Sequence, residues 1–322
     1  MSTAAGGWIE VAAAVLEQPD GRFLLASRPA GKVYAGWWEF PGGKCEAGEP
    51  PAAALARELH EELGIRVTCA VPWIVRTHDY AHGRVRLHFF RVTGWEGEPR
   101  PREGQSLAWQ RLGALDVAPI LPANGPILSA LSLPLCMGVS QAATLGSQVF
   151  LQRLEAALAA GLRLVQVREP GLPEDDLHDL TRAVVSLAHR AGAEVVLNGP
   201  EAVARRSEAD GLHLSARALA ACAARPDFRR VGASCHDRAE LERAARLGLD
   251  YALLGPVLPT ASHPGAAGLG WEEFARLVRH LPLPVYAIGG MELHHVEQAR
   301  EAGAHGVAAI RSAWRESRAR AQ

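Results

Sequence analysis

Lysine is almost absent from this sequence. The chain has 322 residues, and of its 34 basic residues only Lys32 and Lys44 are lysines. Chemistry that requires a side-chain amine is therefore excluded from everything beyond residue 44. A surplus of positive charge is also missing, because 35 acidic residues bring the formal net charge to -1. Since proteins that bind a nucleic-acid duplex normally carry a basic surplus, we expect no nucleic-acid polymer as a partner.

Cysteine pairs and long apolar runs are missing as well. The five cysteines are odd in number and contain no C-x-x-C pair, so neither a disulfide framework nor a four-cysteine zinc site fits. No stretch reaches the roughly 18 apolar residues that a membrane span needs, and Glu10 and Glu17 interrupt the apolar start of the chain. We therefore expect a cytoplasmic protein with reduced thiols, no signal peptide and no membrane partner.

The rest of the composition is that of an ordinary globular protein, 48% hydrophobic and 21% charged, with a length typical of two domains. In the first part the pattern predicts strands over 8–16, 22–27, 66–77 and 85–93 and helices over 50–64 and 125–132. Pro134 follows the second helix. We take it as the boundary between a domain at 1–134 and a domain at 135–322.

Beyond Pro134, short apolar runs alternate with helical stretches rich in Ala, Leu and Arg. The runs are 135–139, 162–168, 194–198, 210–215, 229–234, 250–255, 284–289 and 306–310. Eight strands that alternate with helices predict an α/β fold, here a small (β/α)8 barrel of the TIM type. A doubly wound sheet has the same alternation and remains the alternative.

Three glutamates stand on the first predicted helix. Glu58, Glu61 and Glu62 are spaced i, i+3 and i+4, so they project from one face, where like charges destabilise a helix. A divalent cation would neutralise them, and oxygen ligands select Mg²⁺ or Mn²⁺. A solvated acidic face is the alternative. Gly43, which lets backbone approach a ligand, and Arg57, which can hold a carboxylate bidentately, favour the metal site.

Every fixed position of the Nudix box is matched by the run Gly43-x5-Glu49-x7-Arg57-Glu58-Leu59-x-Glu61-Glu62-x-Gly64-Ile65. Residues 8–132 therefore resemble the Nudix hydrolase family, and the run Trp38-Glu39-Phe40-Pro41-Gly42-Gly43-Lys44 is similar to that of its MutT type. The resemblance implies an α/β/α sandwich with a mixed sheet. It also implies hydrolysis of a nucleoside triphosphate, preferably 8-oxo-dGTP, to the monophosphate and pyrophosphate.

The resemblance further implies roles for single residues. Mg²⁺, or Mn²⁺ in its place, would be bound by the Gly42 carbonyl and the carboxylates of Glu58, Glu61, Glu62 and Glu103. The box glutamates and Arg57 would serve catalysis, one glutamate or a metal-bound hydroxide near it activating the attacking water. The small-molecule nucleotide would be contacted by Arg28, Glu39, Phe40, Lys44 and Asn124.

Most of these nucleotide contacts have a plainer alternative. Asn124, expected to read the base edge, could instead be a turn or cap residue before the helix that follows it. Phe40 could be a wall for the base or a core residue, and Arg28 could be a solvated surface charge. Glu39 could hold a loop rather than touch the ligand.

In the second domain, polar residues follow the predicted strands, at the end of a barrel where active sites lie. These residues are similar to those of the thiamine phosphate synthase/TenI family over about 135–314. The resemblance implies a ligand site formed by Gln166, Arg168, Asn198, Ser234, His236, Gly289, Gly290 and Arg311.

The match to the synthases is incomplete. Pro170 and His263 occupy the positions of two synthase lysines, and Gly199 and Ala218 those of two metal-binding aspartates. Because the ligands for Mg²⁺ and pyrophosphate are lost together, we expect no synthase activity. The Ser-x-His segment that ends at His236 resembles that of TenI-like tautomerases, although the synthases carry a similar histidine and a hydrogen-bonded strand-end histidine is an equal alternative.

Three interpretations of the whole chain remain. In the first, an Mg²⁺-dependent enzyme removes oxidised nucleotides, which protects DNA from mutation, and carries a degenerate barrel. In the second, the barrel is a thiazole phosphate tautomerase and the Nudix domain hydrolyses thiamine-related pyrophosphates. In the third, the barrel only binds a phosphorylated ligand or supports a homodimer. The intact Nudix box beside a depleted synthase site favours the first interpretation, alone or combined with the third.

Overall fold

A computed structural model describes residues 8–80, 83–260 and 267–315 of the chain. The chain divides into two units, of which the first comprises residues 1–132 with 279–282 and the second comprises 133–278 with 283–322. His263, one of the positions discussed above, lies outside the described residues. None of the described helices is long and apolar enough to cross a bilayer.

The described residues of the first unit form two small sheets and two α-helices. Its elements are β1 (Ile9–Leu16), β2 (Phe23–Ser27), β3 (Trp38–Glu39), β4 (Gly42–Lys44), α1 (Pro51–Leu63), β5 (Arg66–Tyr80), β6 (Gly83–Glu96), β7 (Leu107–Gln110), a 3-10 helix (Pro122–Asn124) and α2 (Gly125–Leu131). The larger sheet has the order β4-β1-β6-β5, and the smaller has the order β3-β2-β7. Because β1 runs parallel to β6 but antiparallel to β4, the larger sheet is mixed, as expected.

Alternate residues of β1 serve two separate cores. Ala12 and Ala14 belong to the cluster that contains the apolar face of α1, whereas Ala13 and Val15 belong to the cluster that contains Ile127 of α2. Since successive side chains of a strand point to opposite faces, the two helices cover opposite faces of the sheet. This arrangement is the α/β/α sandwich predicted above.

The helix α1 begins and ends where its sequence predicts. Pro51 is its first residue, a position at which proline has no hydrogen bond to lose. Gly64 ends it in the left-handed conformation, with φ of 72° and its N–H bonded to the carbonyl oxygen of His60. Four buried residues anchor one face to the sheet, Ala54, Leu55, Leu59 and Leu63. The three box glutamates therefore stand away from this core.

The second unit is a closed barrel of eight parallel strands. Its strands are β8 (Cys136–Val139), β9 (Leu164–Val167), β10 (Glu194–Leu197), β11 (Gly211–Leu214), β12 (Arg230–Cys235), β13 (Tyr251–Leu254), β14 (Val285–Ile288) and β15 (Gly306–Ala309). Its α-helices are α3 (Ala142–Leu145), α4 (Ser147–Ala159), α5 (Glu174–Arg190), α6 (Glu201–Arg206), α7 (Ala216–Ala221), α8 (Arg238–Arg246), α9 (Gly270–Val278) and α10 (Val296–Glu301). The strand β15 pairs with β8, which confirms the barrel and rules out the doubly wound alternative.

The interior of the barrel is a packed core. Met137, Leu164, Val196 and Tyr286 lie in it and are almost completely buried. Such filling by side chains from many strands leaves no channel, so a ligand can only bind above the strands, at their carboxyl ends.

Trp314 secures the wall of the barrel at β8. Its indole Nε1 donates to the carbonyl oxygen of Val139 at 2.7 Å, and its ring meets that of Phe150 edge-on at 5.0 Å between centroids. Gly138 leaves the room that the indole fills, because a methyl group there would lie 2.7 Å from the ring. The tryptophan thus joins the first barrel strand to α4.

We expect Trp314→Ala to lower the free energy of unfolding of the barrel by about 3–5 kcal/mol, because it opens a cavity and leaves the Val139 carbonyl unpaired. Urea denaturation followed by circular dichroism measures this loss. Val149→Ala on α4, where the side chain is 40% exposed, is the control and should change the value by less than about 0.5 kcal/mol. Equal effects of the two substitutions would contradict the assignment.

Candidate active site

Arg57 lies at the centre of a cluster of carboxylates on the polar side of α1. Its Nε and Nη2 donate to the two oxygens of Glu49 at 3.0 and 2.9 Å. Its Nη1 donates to Glu58 at 2.9 Å and to Glu61 at 3.2 Å, and Nη2 also donates to the Lys44 carbonyl oxygen at 3.0 Å. The hydrogen bonds from Arg57 lower the pKa of Glu49. One guanidinium therefore orients three carboxylates. It also holds residues 41–44, which include the short strand β4 and are called the glycine-rich loop below.

The glycines of this loop are explained by close contacts. A methyl group at Gly43 would lie 2.2 Å from the carboxyl carbon of Glu58, so glycine lets that carboxylate sit directly against β4. Gly42 has φ of 143°, a conformation that disfavours other residues, and a methyl group there would lie 2.1 Å from the Ala12 carbonyl oxygen. The pair thus sets how closely strand and helix approach.

A second group of residues surrounds Glu62 at the end of α1. Burial, with the nearby charges of Glu103 and Glu58, raises the pKa of Glu62 to about 7. The Lys32 ammonium contacts Glu103 Oε2 at 3.0 Å. Gln105 donates to the Glu62 carbonyl oxygen at 3.0 Å and accepts from the Glu103 N–H at 2.7 Å. Gln105 thereby holds the Glu103 loop against the helix.

The donor set suits a hard divalent cation. Its side-chain donors are the carboxylates of Glu58, Glu61, Glu62 and Glu103, and oxygen ligands of this kind are those that Mg²⁺ and Mn²⁺ prefer. Among the described residues, no three His, Cys, Asp or Glu side chains are close enough together to hold a metal ion. Arg57 holds two of these carboxylates and Lys32 holds a third, so cation binding requires them to exchange partners.

Arg28 and Glu39, both expected to contact the nucleotide, bind each other. Arg28 Nη1 lies 2.6 and 2.8 Å from the two oxygens of Glu39, and its Nε donates to the Val33 carbonyl oxygen at 2.6 Å. Burial raises the pKa of Glu39, and the Arg28 charge opposes that shift. The pair therefore holds the loop between β2 and β3, which is the alternative role considered for Glu39.

Phe40 and Lys44 differ in their burial. The Phe40 side chain is 3% exposed and packs at 5.8 and 5.9 Å, between centroids, against the rings of Phe23 and Phe89. Phe40 is part of the core, and neither face of its ring is exposed for a base to stack on. Lys44 has an exposed side chain, and its carbonyl oxygen is the group that Arg57 binds.

Asn124 has a buried amide without a partner. Its side chain is 5% exposed, and the Nδ2 group donates to no protein atom among the described residues. It occupies the N-cap position of α2 but makes no side-chain hydrogen bond to the start of that helix, so capping does not use its amide. Since an unpaired buried amide is unfavourable, this group is suited to bind an acceptor on a ligand.

In the second unit, a cavity of about 490 Å³ opens at the carboxyl ends of the strands. Seven of the eight expected barrel residues line it, namely Gln166, Arg168, Ser234, His236, Gly289, Gly290 and Arg311. Asn198 is not among the lining residues. Its side-chain amide donates to the His213 carbonyl oxygen at 2.8 Å and so joins β10 to β11.

Two arginines and a histidine line the cavity. His236 Nδ1 donates to the Gly255 carbonyl oxygen at 2.9 Å, so Nε2 is an acceptor whenever the ring is neutral. Arg168 and Arg311 are exposed, and in the described part of the chain neither guanidinium has an ion-pair partner. These groups suit an anionic ligand.

A hydrogen-bonded chain lies beneath the cavity. Ser234 Oγ is 2.9 Å from His213 Nε2, and His213 Nδ1 is 3.0 Å from the Tyr251 hydroxyl. Burial, with the charge of Arg168 nearby, lowers the pKa of His213 to about 3. His213 is therefore neutral, and it positions Ser234.

Gly289 and Gly290 allow the loop that follows β13 to pack closely against them. A methyl group at Gly289 would lie 2.5 Å from the Cα atom of Pro256, and one at Gly290 would lie 2.7 Å from the Cβ atom of Leu258. Both glycines have positive φ, 92° and 68°. Their conformation is thus required by packing between two loops, whether or not a ligand is bound.

Comparison with known proteins assigns the two units separately. The family model for the NUDIX domain matches residues 12–130, and the model for thiamine monophosphate synthase matches residues 136–313. An 8-oxo-dGTP diphosphatase of Haemophilus influenzae is 39% identical over 38% of this chain and 90% of its own length. A CTP pyrophosphohydrolase of Escherichia coli is 42% identical over 38% and 90% of the two chains.

The barrel has its own relatives. A thiamine-phosphate synthase of Thermosynechococcus vestitus is 36% identical over 52% of this chain and 49% of its own length. The resemblances inferred from the Nudix box and from the barrel residues are thereby confirmed. The chain belongs to the NUDIX domain family through residues 12–130 and to the thiamine monophosphate synthase family through residues 136–313.

Proposed function

We propose that the first unit hydrolyses nucleoside triphosphates to the monophosphate and pyrophosphate with Mg²⁺, and that 8-oxo-dGTP is its preferred substrate. The observation that carries the proposal is the row of Glu58, Glu61 and Glu62 on the polar side of α1. Arg57 binds the first two carboxylates, and Gln105 joins the Glu62 carbonyl oxygen to the Glu103 N–H. A relative of this unit is an 8-oxo-dGTP diphosphatase, and another is a CTP pyrophosphohydrolase. Removal of oxidised nucleotides would keep them out of DNA.

In this proposal the residues of the chain have separate tasks. Mg²⁺, bound by Glu58, Glu61, Glu62 and Glu103, would neutralise phosphate charge and favour ionisation of water. Arg57 orients Glu58 and Glu61, and Gln105 fixes Glu103 against α1. A water oxygen would bond to phosphorus as a P–O bond between the α- and β-phosphates breaks. The electron pair of that bond would stay on the departing phosphate oxygen, and a water proton would pass to a box glutamate.

The base would be recognised by Asn124. Its Nδ2 is buried and unpaired in the described structure, so a purine acceptor at that place would gain a hydrogen bond without breaking one. Its amide can donate and accept at once, which suits the altered edge of an oxidised purine.

For the second unit we propose the binding of a small phosphorylated ligand without synthase activity. Arg168 and Arg311 supply positive charge to the cavity. Pro170, Gly199 and Ala218 supply neither the amine nor the carboxylates that a metal-bound pyrophosphate requires. His236 Nε2, an acceptor, makes a thiazole phosphate tautomerase the second candidate for this unit.

We expect Glu62→Gln to lower kcat for 8-oxo-dGTP by at least about two orders of magnitude, the scale of a strong electrostatic or general-base contribution. Pyrophosphate release at saturating Mg²⁺ measures it. Glu98→Gln, at a side chain 74% exposed, should leave turnover unchanged. Near-wild-type turnover of Glu62→Gln would remove this residue from the mechanism.

The same variant should be more stable than the wild type when no metal is present. The pKa of Glu62 in the folded protein, about 7, lies above its ordinary value of 4.5, so its ionisation destabilises the fold as pH rises through this window. Glutamine removes that penalty. In EDTA, Glu62→Gln should raise Tm by a few degrees at pH 8 and by much less at pH 5, where wild-type Glu62 is still protonated. An equal change at both pH values would contradict the assignment.

We expect Asn124→Ala to lower kcat/KM for 8-oxo-dGTP by an amount that corresponds to about 1–3 kcal/mol of transition-state stabilisation. The loss for dGTP should be smaller. The stability of the protein should not fall, because the amide donor has no partner to lose. Steady-state kinetics with both nucleotides, and with CTP, make the comparison. Equal losses for all three would assign Asn124 to structure instead of base recognition.

The full-length protein should not restore growth of a strain that lacks thiamine phosphate synthase. It should bind inorganic phosphate or a thiazole phosphate weakly, and Arg168→Met should weaken that binding in calorimetric titrations, because a charge-assisted hydrogen bond is lost. Restored growth would overturn the first expectation, and unchanged binding in the variant would overturn the second. Isomerisation of a thiazole phosphate carboxylate would favour the tautomerase.

A further inference from the structure

The loop between β2 and β3 is fixed at its base. Arg28 N–H donates to the Trp37 carbonyl oxygen at 2.8 Å, and Gly36 N–H donates back to the Arg28 carbonyl oxygen at 2.9 Å. Within the loop, Tyr34 adopts a positive φ of 61°. These features give the loop a defined path, and Lys32 lies on it beside the carboxylate cluster.

The two cations of this region differ in how firmly they are held. Arg28 binds both oxygens of Glu39 and the Val33 carbonyl oxygen. The Lys32 ammonium group has one hydrogen-bond partner among the described residues, Glu103, at 3.0 Å. The Lys32 and Glu103 side chains are 50% and 43% exposed, and ion pairs so exposed contribute little to stability. Lys32 is therefore the cation that can change partner easily.

Glu103 is the carboxylate that connects Lys32 to the proposed metal site. Its N–H donates to Gln105 at 2.7 Å, and Gln105 donates to the Glu62 carbonyl oxygen at 3.0 Å, so the Glu103 loop lies against the end of α1 that carries Glu62. A divalent cation that binds Glu103 competes with Lys32 for the same oxygens. Arg57, by contrast, would keep Glu49 as a partner after cation binding, since Glu49 lies outside the proposed ligand set.

We propose that Lys32 binds the polyphosphate of the nucleotide, and that it becomes free to do so when a divalent cation takes Glu103. The inference rests on the proposed function of this unit and adds a substrate-binding residue to it. The long side chain of lysine can move its ammonium group from a carboxylate to a phosphate without moving the backbone. In the free protein Lys32 shields Glu103, and in the loaded protein it offsets phosphate charge.

This exchange predicts opposite effects of one substitution. Without Lys32, Glu103 has no competitor, so the nucleotide-free protein should bind Mn²⁺ about threefold more tightly. The loaded protein loses a charge-assisted contact to phosphate, so it should bind a nucleoside triphosphate about tenfold more weakly. A residue that merely supports the loop would weaken both.

The experiment uses the full-length protein and the variants Lys32→Met, Lys32→Arg and Arg22→Met. Mn²⁺ affinity is measured by electron paramagnetic resonance without nucleotide. Affinity for methylene-bridged analogues of dGTP and of CTP is then measured by calorimetry at saturating Mn²⁺. Arg22→Met is the matched control, because Arg22 forms a half-exposed ion pair with Asp20 in the turn between β1 and β2.

We expect Lys32→Met to bind Mn²⁺ more tightly and the analogues more weakly, while Lys32→Arg and Arg22→Met stay near the wild type. Tighter Mn²⁺ binding with unchanged analogue binding would overturn the inference, as would a loss of both affinities or no change in either. If the wild type binds neither analogue, the proposed function itself fails. If it binds one and Lys32→Met binds it equally well, only the role of Lys32 fails.

Discussion

The burial of Glu62 beside the charges of Glu103 and Glu58 is the constraint on which the rest of the carboxylate cluster depends. Burial and neighbouring charge hold the pKa of Glu62 at about 7, so the fold keeps acidic groups where they are unfavourable without a counter-charge. Arg57 supplies that charge at one end of the cluster and Lys32 supplies it at the other. Strain of this kind is common where a protein trades stability for binding, because a cation or substrate recovers the energy on arrival.

The glycine-rich loop and α1 pack together as one rigid part of the site. Because Gly43 has no side chain, Glu58 can lie against β4, and because Arg57 binds the Lys44 carbonyl oxygen, the loop cannot move away from α1. The apolar face of the helix is anchored in the core formed with β1 and β6. The polar face is therefore presented at a fixed distance from the strand, which is the precision that phosphoryl chemistry requires.

Much of this arrangement could be predicted from the sequence, since it depends on local periodicity. Proline at its start, glycine at its end and the spacing of its glutamates defined α1, and the eight apolar runs overlap the eight barrel strands. The pairings across the chain could not be predicted. Nothing in the sequence shows that Arg28 binds Glu39, or that Lys32, 71 residues from Glu103, meets it. Such contacts depend on how distant loops converge, and a single sequence carries no record of that.

The scarcity of lysine has a practical meaning once the structure is known. Both side-chain amines of the chain lie in the first unit, Lys32 beside Glu103 and Lys44 in the glycine-rich loop bound by Arg57. Reagents that attack side-chain amines, such as succinimide esters used for labelling or surface immobilisation, would react next to the carboxylates and leave the barrel untouched. Attachment through an affinity tag or through cysteines would be needed to keep the site open. Selective amine labelling would turn the loop between β2 and β3 into a reporter of what binds there.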